Sequence, residues 1–349
     1  MQNKVDDLLR LMLESPSPSG SETSVTNSFS EFMKEFVDEV YSDSMGNVIA
    51  HKKKTGAKSL MLISHADEVG FMITHIDNRG FLYFQPVGGI DVNLLPGLQV
   101  EIHDARGKII GVIGRKPKHL QKKEDANQQI RFEDLWIDIG AKDKTDAESH
   151  VHIGDYATYK ASVTKQLNNL ITSKSLDDKI GLAVIAEVAT RLHHQDVKYD
   201  LYFVASTQEE LGTRGATIVA NKIKTDKCIA IDVTHATDYP HMTPFRSGEI
   251  KLGNGAVIAI GPNINQELST TMENIAQSNG ICYQLEAIPF PTGTDARQIQ
   301  ISGTGVLTAL VSIPCRYMHS PVEIVSIDDV NSAVEIITGY CLNKERKEE

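Results

Sequence analysis

Two adjacent glutamates, Glu209 and Glu210, close the apolar run Asp200–Thr207 and stand before Leu211-Gly-Thr-Arg-Gly215. Two anions at the end of so apolar a segment are costly unless a cation meets them. Metal-assisted hydrolysis uses such a pair in separate roles. One carboxylate binds a divalent ion and the other accepts the proton of the attacking water. Consecutive side chains on an extended backbone point opposite ways, which predicts different tasks for the two. A metal here also requires ligands from elsewhere in the chain, and four other segments offer them. His65-Ala-Asp67-Glu-Val-Gly70 follows the run Ser59–Ser64, and Asp177-Asp178 opens a stretch of helical spacing from Ile180 to Leu192. Asp232 ends the run that begins at Cys228, and His319 follows the run Val306–Pro314.

Each feature alone has a plainer explanation. An Asp-Asp pair before a helix usually caps it and complements its dipole. His319 before Ser320-Pro321 reads as a loop histidine. A single His-x-Asp motif is weak, although a metal-bound histidine commonly has its second ring nitrogen fixed by a carboxylate. The combination carries the signal. A glycosidase could also use two carboxylates, but that reading leaves His65, Asp232 and His319 without work. A non-catalytic metal-binding or scaffold protein would be expected to lack the base, and Glu209 is present.

The elements that must position these groups are short apolar runs, which read as buried strands of an α/β sheet. Ligands of such sheets gather outside the carboxyl ends of the strands. Helical spacing covers 4–14 and 22–37, with strands at 47–53 and 59–64. From about residue 170, helices (178–192, 213–221, 265–279, 328–343) alternate with strands (200–207, 228–233, 281–289, 306–313). Residues 71–161 instead carry short strands and turns such as Asp77-Asn-Arg-Gly80, the profile of a small all-β module inserted into an α/β domain. The expected organisation is a mixed-sheet α/β/α domain formed by 1–70 and 162–349, interrupted by a barrel- or PDZ-like domain at 71–161. Lys52–Lys54 reads as a solvated hairpin end, and the polar, aperiodic stretch 116–129 as a mobile loop.

Composition narrows the class. A net charge of −11 over 349 residues disfavours nucleic-acid partners. The cysteines, Cys228, Cys282, Cys315 and Cys341, form no C-x-x-C pair and read as reduced thiols. The start has helical spacing with acids rather than a signal peptide. No stretch approaches the ~18–20 apolar residues of a membrane span. A soluble, cytoplasmic enzyme is expected.

The segments Ser64–Gly70, Ser175–Gly181, Gln208–Gly215, Ile231–His235, Gly293–Ala296 and Arg316–Ser320 resemble, in order, those of the tetrahedral aminopeptidases. These are co-catalytic metallopeptidases of the glutamyl, leucyl and deblocking type, and the likeness covers most of the chain. The resemblance implies His65, Asp177, Glu210, Asp232 and His319 as ligands of two divalent ions, with Asp177 bridging. His65 and Asp232 would complete one site, and Glu210 and His319 the other. It implies Glu209 as general base and Asp67 as the carboxylate orienting His65. Nitrogen and carboxylate ligands without thiolates suit Zn²⁺, Co²⁺ or Mn²⁺. The implied reaction is removal of N-terminal residues from short peptides by a water bridging the two ions. The resemblance further implies a cis peptide at Asp177–Asp178, and dimers formed through the β module that assemble into a tetrahedral dodecamer.

Overall fold

The computed structural model describes residues 3–104, 107–120, 129–245 and 248–342. Most of the expected mobile loop, 121–128, lies outside them. No helix among the described residues is long and apolar enough to cross a membrane.

Helices α1 (Asn3–Glu14) and α2 (Thr23–Met33) precede β1 (Glu39–Ser42), β2 (Val48–Lys52) and β3 (Ser59–His65). Six strands follow: β4 (Gly70–Ile76), β5 (Leu82–Val87), β6 (Gln99–Asp104), β7 (Gly107–Arg115), β8 (Leu135–Asp138) and, after α3 (Lys144–Glu148), β9 (Tyr156–Tyr159). The chain continues through β10 (Thr164–Lys165), β11 (Leu170–Ser173), α4 (Leu176–Leu192), β12 (Asp200–Ser206), α5 (Arg214–Ile223) and β13 (Lys227–His235). It ends with β14 (Ala256–Ile260), α6 (Gln266–Asn279), β15 (Tyr283–Ala287), α7 (Ala296–Gln300), β16 (Leu307–Cys315), β17 (Glu323–Ser326) and α8 (Ile327–Leu342).

Eight strands form one mixed sheet in the order β1-β2-β12-β3-β13-β16-β14-β15. Its centre, β12-β3-β13-β16, is parallel, while β2 and β14 run antiparallel to their neighbours β12 and β16. The unbroken apolar character of β3 follows from its place. Leu60 and Leu62 face the core shared with α1, α2, α4, α6 and α8, whereas Met61 and Ile63 face the core shared with α5 and α7. A strand covered on both faces has no polar side to alternate with.

The barrel β4-β5-β8-β7-β6-β9 is closed and antiparallel throughout. Its separate core is centred on Phe71, which meets the rings of Phe84 and Tyr159 edge-on at 5.1 and 5.5 Å. Only Ala66–Val69 separates His65 from β4, so the barrel departs from the sheet at the candidate ligands.

One expectation is corrected. Lys52–Lys54 does not end a hairpin, because β12 lies between β2 and β3, antiparallel to the first and parallel to the second. The more apolar β12 occupies the interior position, and Lys54 pairs with Asp196 at 2.6 Å beyond its edge.

Candidate active site

The candidate residues converge at the carboxyl ends of the parallel strands. His65 ends β3, Asp232 lies near the end of β13, and His319 follows β16. Asp177 and Asp178 sit where α4 begins, and the peptide between them is cis. Both residues have non-helical dihedrals. The regular helix starts after Asp178, whose carboxylate accepts from Gly181 N at 3.1 Å and from Ser64 Oγ. Asp178 is thus the helix cap that the plainer explanation expects, and Asp177 is left to face the histidines.

The two carboxylate oxygens of Asp177 face different imidazoles. His65 Nε2 lies 3.0 Å from Oδ1 and His319 Nε2 lies 3.2 Å from Oδ2. His319 Nε2 is also 3.0 Å from Glu210 Oε1. The second nitrogen of each ring decides what these contacts mean. His65 Nδ1 is 3.1 Å from the Asp67 carbonyl, and His319 Nδ1 is 2.7 Å from the Gly89 carbonyl in the segment after β5. A carbonyl only accepts, so each Nδ1 carries a hydrogen; Nε2 then meets the carboxylates as the N–H of a charged ring or, when the ring is neutral, as a bare lone pair. Lone pair against lone pair at 3 Å is stable only with positive charge between them.

The titration properties express the same demand. Burial disfavours a charged His65, yet Asp177 and Asp67 hold its pKa well above the ordinary value. Burial likewise opposes a charged His319, but bonds to Asp177 and Glu210 raise it to about 11. Burial would raise Asp177, and the two imidazoles hold it well below the carboxylate range. Asp232 has no such partner and is driven up, chiefly by burial. Among the described residues the ion pairs of Asp177 and Glu210 involve only the two histidines.

Divalent ions fit this donor set. One atom from each of His65, Asp177 and Glu210 lies within 4.8 Å of the others; the second such group, His65, Asp178 and Asp232, contains the cap residue Asp178 where the resemblance implied Asp177. Imidazole and carboxylate donors at this spacing, without thiolates, suit ions of the zinc, cobalt and manganese kind.

Glu209 and Glu210 depart from the expected geometry. Strand β12 stops at Ser206, and the pair lies in the turn after Gln208, whose φ is +55°. Their different surroundings come from this turn and not from strand alternation. Glu210 reaches His319, whereas the Glu209 carboxylate takes no hydrogen bond from any described residue. Burial, then Asp232, Asp295 and Glu210 against the opposing His65, push Glu209 up to about 10.

Asp67 is completely buried and does more than orient a ring. Its Oδ1 lies 3.4 Å from His65 Nδ1. The carboxylate also accepts from Glu209 N at 2.9 Å, Glu210 N at 3.0 Å and Ser19 Oγ at 2.6 Å. Glu323, which sequence reasoning misses, plays a matching part opposite, accepting from Asp177 N at 3.0 Å and His319 N at 2.7 Å. Its only signal is its place four residues beyond His319. Asp295, from the Gly293–Ala296 motif, is buried with one oxygen on Ser206 Oγ and the other without a partner among the described residues.

A mixed sheet interrupted by a closed barrel is the architecture of the TET aminopeptidases. One from a marine sediment archaeon of the Thaumarchaeota superposes with a TM-score of 0.94 at 29% identity, over 99% of this chain and 97% of that one. The Pyrococcus horikoshii TET1 peptidase, which can assemble into a tetrahedron or a large octahedral shell, gives 0.86 at 30% identity, covering 97% and 99%. The lysyl aminopeptidase of Pyrococcus furiosus is 36% identical over 335 residues, 95% of this chain and 94% of that one. The M42 glutamyl aminopeptidase profile matches residues 46–336, and the chain belongs to that family. It is an aminopeptidase, a hydrolase that removes N-terminal residues.

Proposed function

We propose that the chain hydrolyses N-terminal residues from short peptides with two divalent ions, Zn²⁺, Co²⁺ or Mn²⁺, held by His65, Asp177, Glu210, Asp232 and His319. The observation carrying this reading is Asp177, each of whose oxygens faces the Nε2 of a different histidine fixed by a carbonyl behind it. When bound, the ions supply a water of lowered pKa and polarise the scissile carbonyl.

The residues supply the rest. Glu209, buried and free of hydrogen bonds from described side chains, would be ionised by the cations beside it and would then take the proton of the attacking water and return it to the leaving amine. The main-chain contacts of Asp67 and Glu323 hold the base and ligands in place. The concentration of carboxylates favours a substrate with a free α-ammonium, in keeping with trimming from the amino terminus. The barrel serves as a lid, since its Gly89 carbonyl reaches His319 and its Tyr159 Oη lies 3.4 Å from the His319 carbonyl, and as the dimerisation domain that the resemblance implies. A homo-oligomer follows, closing to a tetrahedral dodecamer in the cytoplasm, where a shell with interior sites spares folded proteins.

A screen of all aminoacyl-4-nitroanilides, on chelated protein reloaded with each of the three ions, tests the reading. Turnover restored by metal is expected. Inertness of every loaded form, or undiminished cleavage of a glycan after chelation, would overturn it. Light scattering of the loaded protein tests the assembly, which a mass of one or two chains would exclude.

A further inference from the structure

The turn that carries Glu209 is held from a part of the chain to which no role has been given. On its carbonyl side it is self-sufficient, because Gly212 N and Thr213 N both donate to Glu209 O at 2.8 Å. Its amide side presents three consecutive main-chain donors, at Gln208, Glu209 and Glu210, with Gln208 in the left-handed region. Such a run of amides forms a concavity that attracts an anion. Here two side-chain carboxylates occupy it. Asp67 takes Glu209 N and Glu210 N, and Glu22 Oε1 takes Gln208 N at 3.2 Å.

Both carboxylates are fixed by the loop joining α1 to α2. Ser19 Oγ donates to Asp67 Oδ2 at 2.6 Å, and Gly20 N donates to Glu22 Oε1 at 2.6 Å. The loop is itself registered on the sheet by Ser17 N to Glu68 Oε1 and Glu68 N to Ser17 O, both 2.9 Å. Ser19, Glu22 and Asp67 are exposed by 2, 5 and 0%. With water excluded, each lost contact leaves a buried donor or acceptor stranded. The segment Ser15-Pro-Ser-Pro-Ser-Gly-Ser-Glu22 has a linker's composition but a clamp's geometry.

We propose that Ser19 and Glu22 are positioning residues for catalysis, clamping the 208–210 amides through Asp67 and Glu22 so that the Glu209 carboxylate stands where a base is needed. The inference rests on Glu209 as the base. A displacement of about 1 Å in a reacting group can cost on the order of 100-fold in rate, and the 208–210 amides have no other side-chain tether among the described residues, the next being Asn47 Oδ1 on Thr207 N at 2.8 Å.

The test uses the full-length, metal-loaded protein. Ser19→Ala and Glu22→Ala are compared with Ser19→Thr, which keeps a hydroxyl, and Glu22→Gln, which keeps the accepting Oε1. The clamp predicts amide hydrogen exchange at 208–210 faster by about 10-fold or more in the alanine variants. It also predicts kcat lower by about 10- to 100-fold, with KM and metal content as in the parent and both properties restored in the conservative variants. Unchanged exchange would overturn the clamp, as would loss of turnover that tracks loss of metal. Near-parental turnover in Glu209→Gln would instead remove the base assignment, while the exchange data still decide whether the loop holds the turn.

Discussion

Replacing Glu323 by glutamine keeps its size and removes one acceptor. Both oxygens are in use, Oε1 by His319 N at 2.7 Å and Oε2 by Asp177 N at 3.0 Å. However the new amide turns, one main-chain N–H then faces an NH₂ group. A stranded buried donor costs about 1–3 kcal/mol, and in the ion-loaded site, where the cations would ionise a Glu323 that burial and Asp177 otherwise push up to about 8, loss of charge assistance from the surviving bond costs about 1 kcal/mol more. The total is about 2–4 kcal/mol in a residue that is 1% exposed. Whichever amide is stranded, Asp177 N or His319 N, belongs to a proposed ligand. If half the cost falls on the site, metal affinity drops by about 5- to 30-fold, and the remainder lowers the stability of the metal-free protein. Calorimetric titration of the chelated variant with Zn²⁺ or Co²⁺, beside thermal melting of the metal-free form, separates the two shares. Parental metal affinity together with an unchanged melting temperature would refute the idea that Glu323 holds the ligand backbones.

Glu209→Gln should keep both ions and bind substrate while losing most turnover, because an amide cannot accept the proton; a kcat close to parental would sink the assignment. His319→Ala should empty one ion site first, since His65, Asp177 and Asp232 remain for the other, and elemental analysis showing two full sites would count against the ligand set. Gly181→Ala would place a methyl 2.5–2.6 Å from the Asp178 carboxylate and Ser64 Oγ. It should destabilise by about 1–3 kcal/mol, which urea unfolding would measure, and a neutral result would mean that Asp178 has room to move. Burial would raise the Glu68 carboxyl, but Lys174 and Lys179 hold it down to about 2. Its ionised form therefore stabilises the fold above about pH 4.5, and that contribution fades as the pH falls toward 2. Glu68→Gln should have a flatter stability profile over that window, and an unchanged slope would show that the triad does not govern acid sensitivity.

How far the sequence could be read depended on where each signal lies. Strands β3, β12, β13 and β16 are legible because burial on both faces makes them apolar end to end, and the charged residue that stops each run marks the active edge. The apolar run Ala256–Ile260, bounded by Gly255 and Gly261, is as clear as β3. Sequence reading passes over it because no ionisable residue marks its end. Strand β17 is different. It has four residues, is covered by β11 from the other end of the second half, and is specified by partners instead of by its own pattern. The five-residue α7 is too short for helical periodicity to register.

The site divides the same way, between what a side chain is and what holds it. Ionisable types at strand ends can be found in sequence, since few other arrangements explain a carboxylate beside a buried run. The Gly89 carbonyl that sets the tautomer of His319 lies 230 residues away, and every residue has a carbonyl, so nothing marks it beforehand. The amide contacts of Asp67 and Glu323 span 142 and 146 residues and are equally unmarked. These two carboxylates solve a common problem. Gln208 and His319 adopt left-handed backbone conformations, at φ of +55° and +62°, that cost non-glycine residues energy unless their surroundings enforce them. In each case a buried carboxylate receives the amides of the strained segment and of a proposed ligand. Asp67 takes Glu209 and Glu210 beside Gln208, and Glu323 takes Asp177 and His319. A cluster of anions awaiting cations would push its own backbones apart. Tying those backbones through main-chain amides to Asp67 and Glu323 fixes the proposed ligands without occupying any oxygen of Asp177, Glu210 or Asp232, so the site can be rigid before an ion arrives.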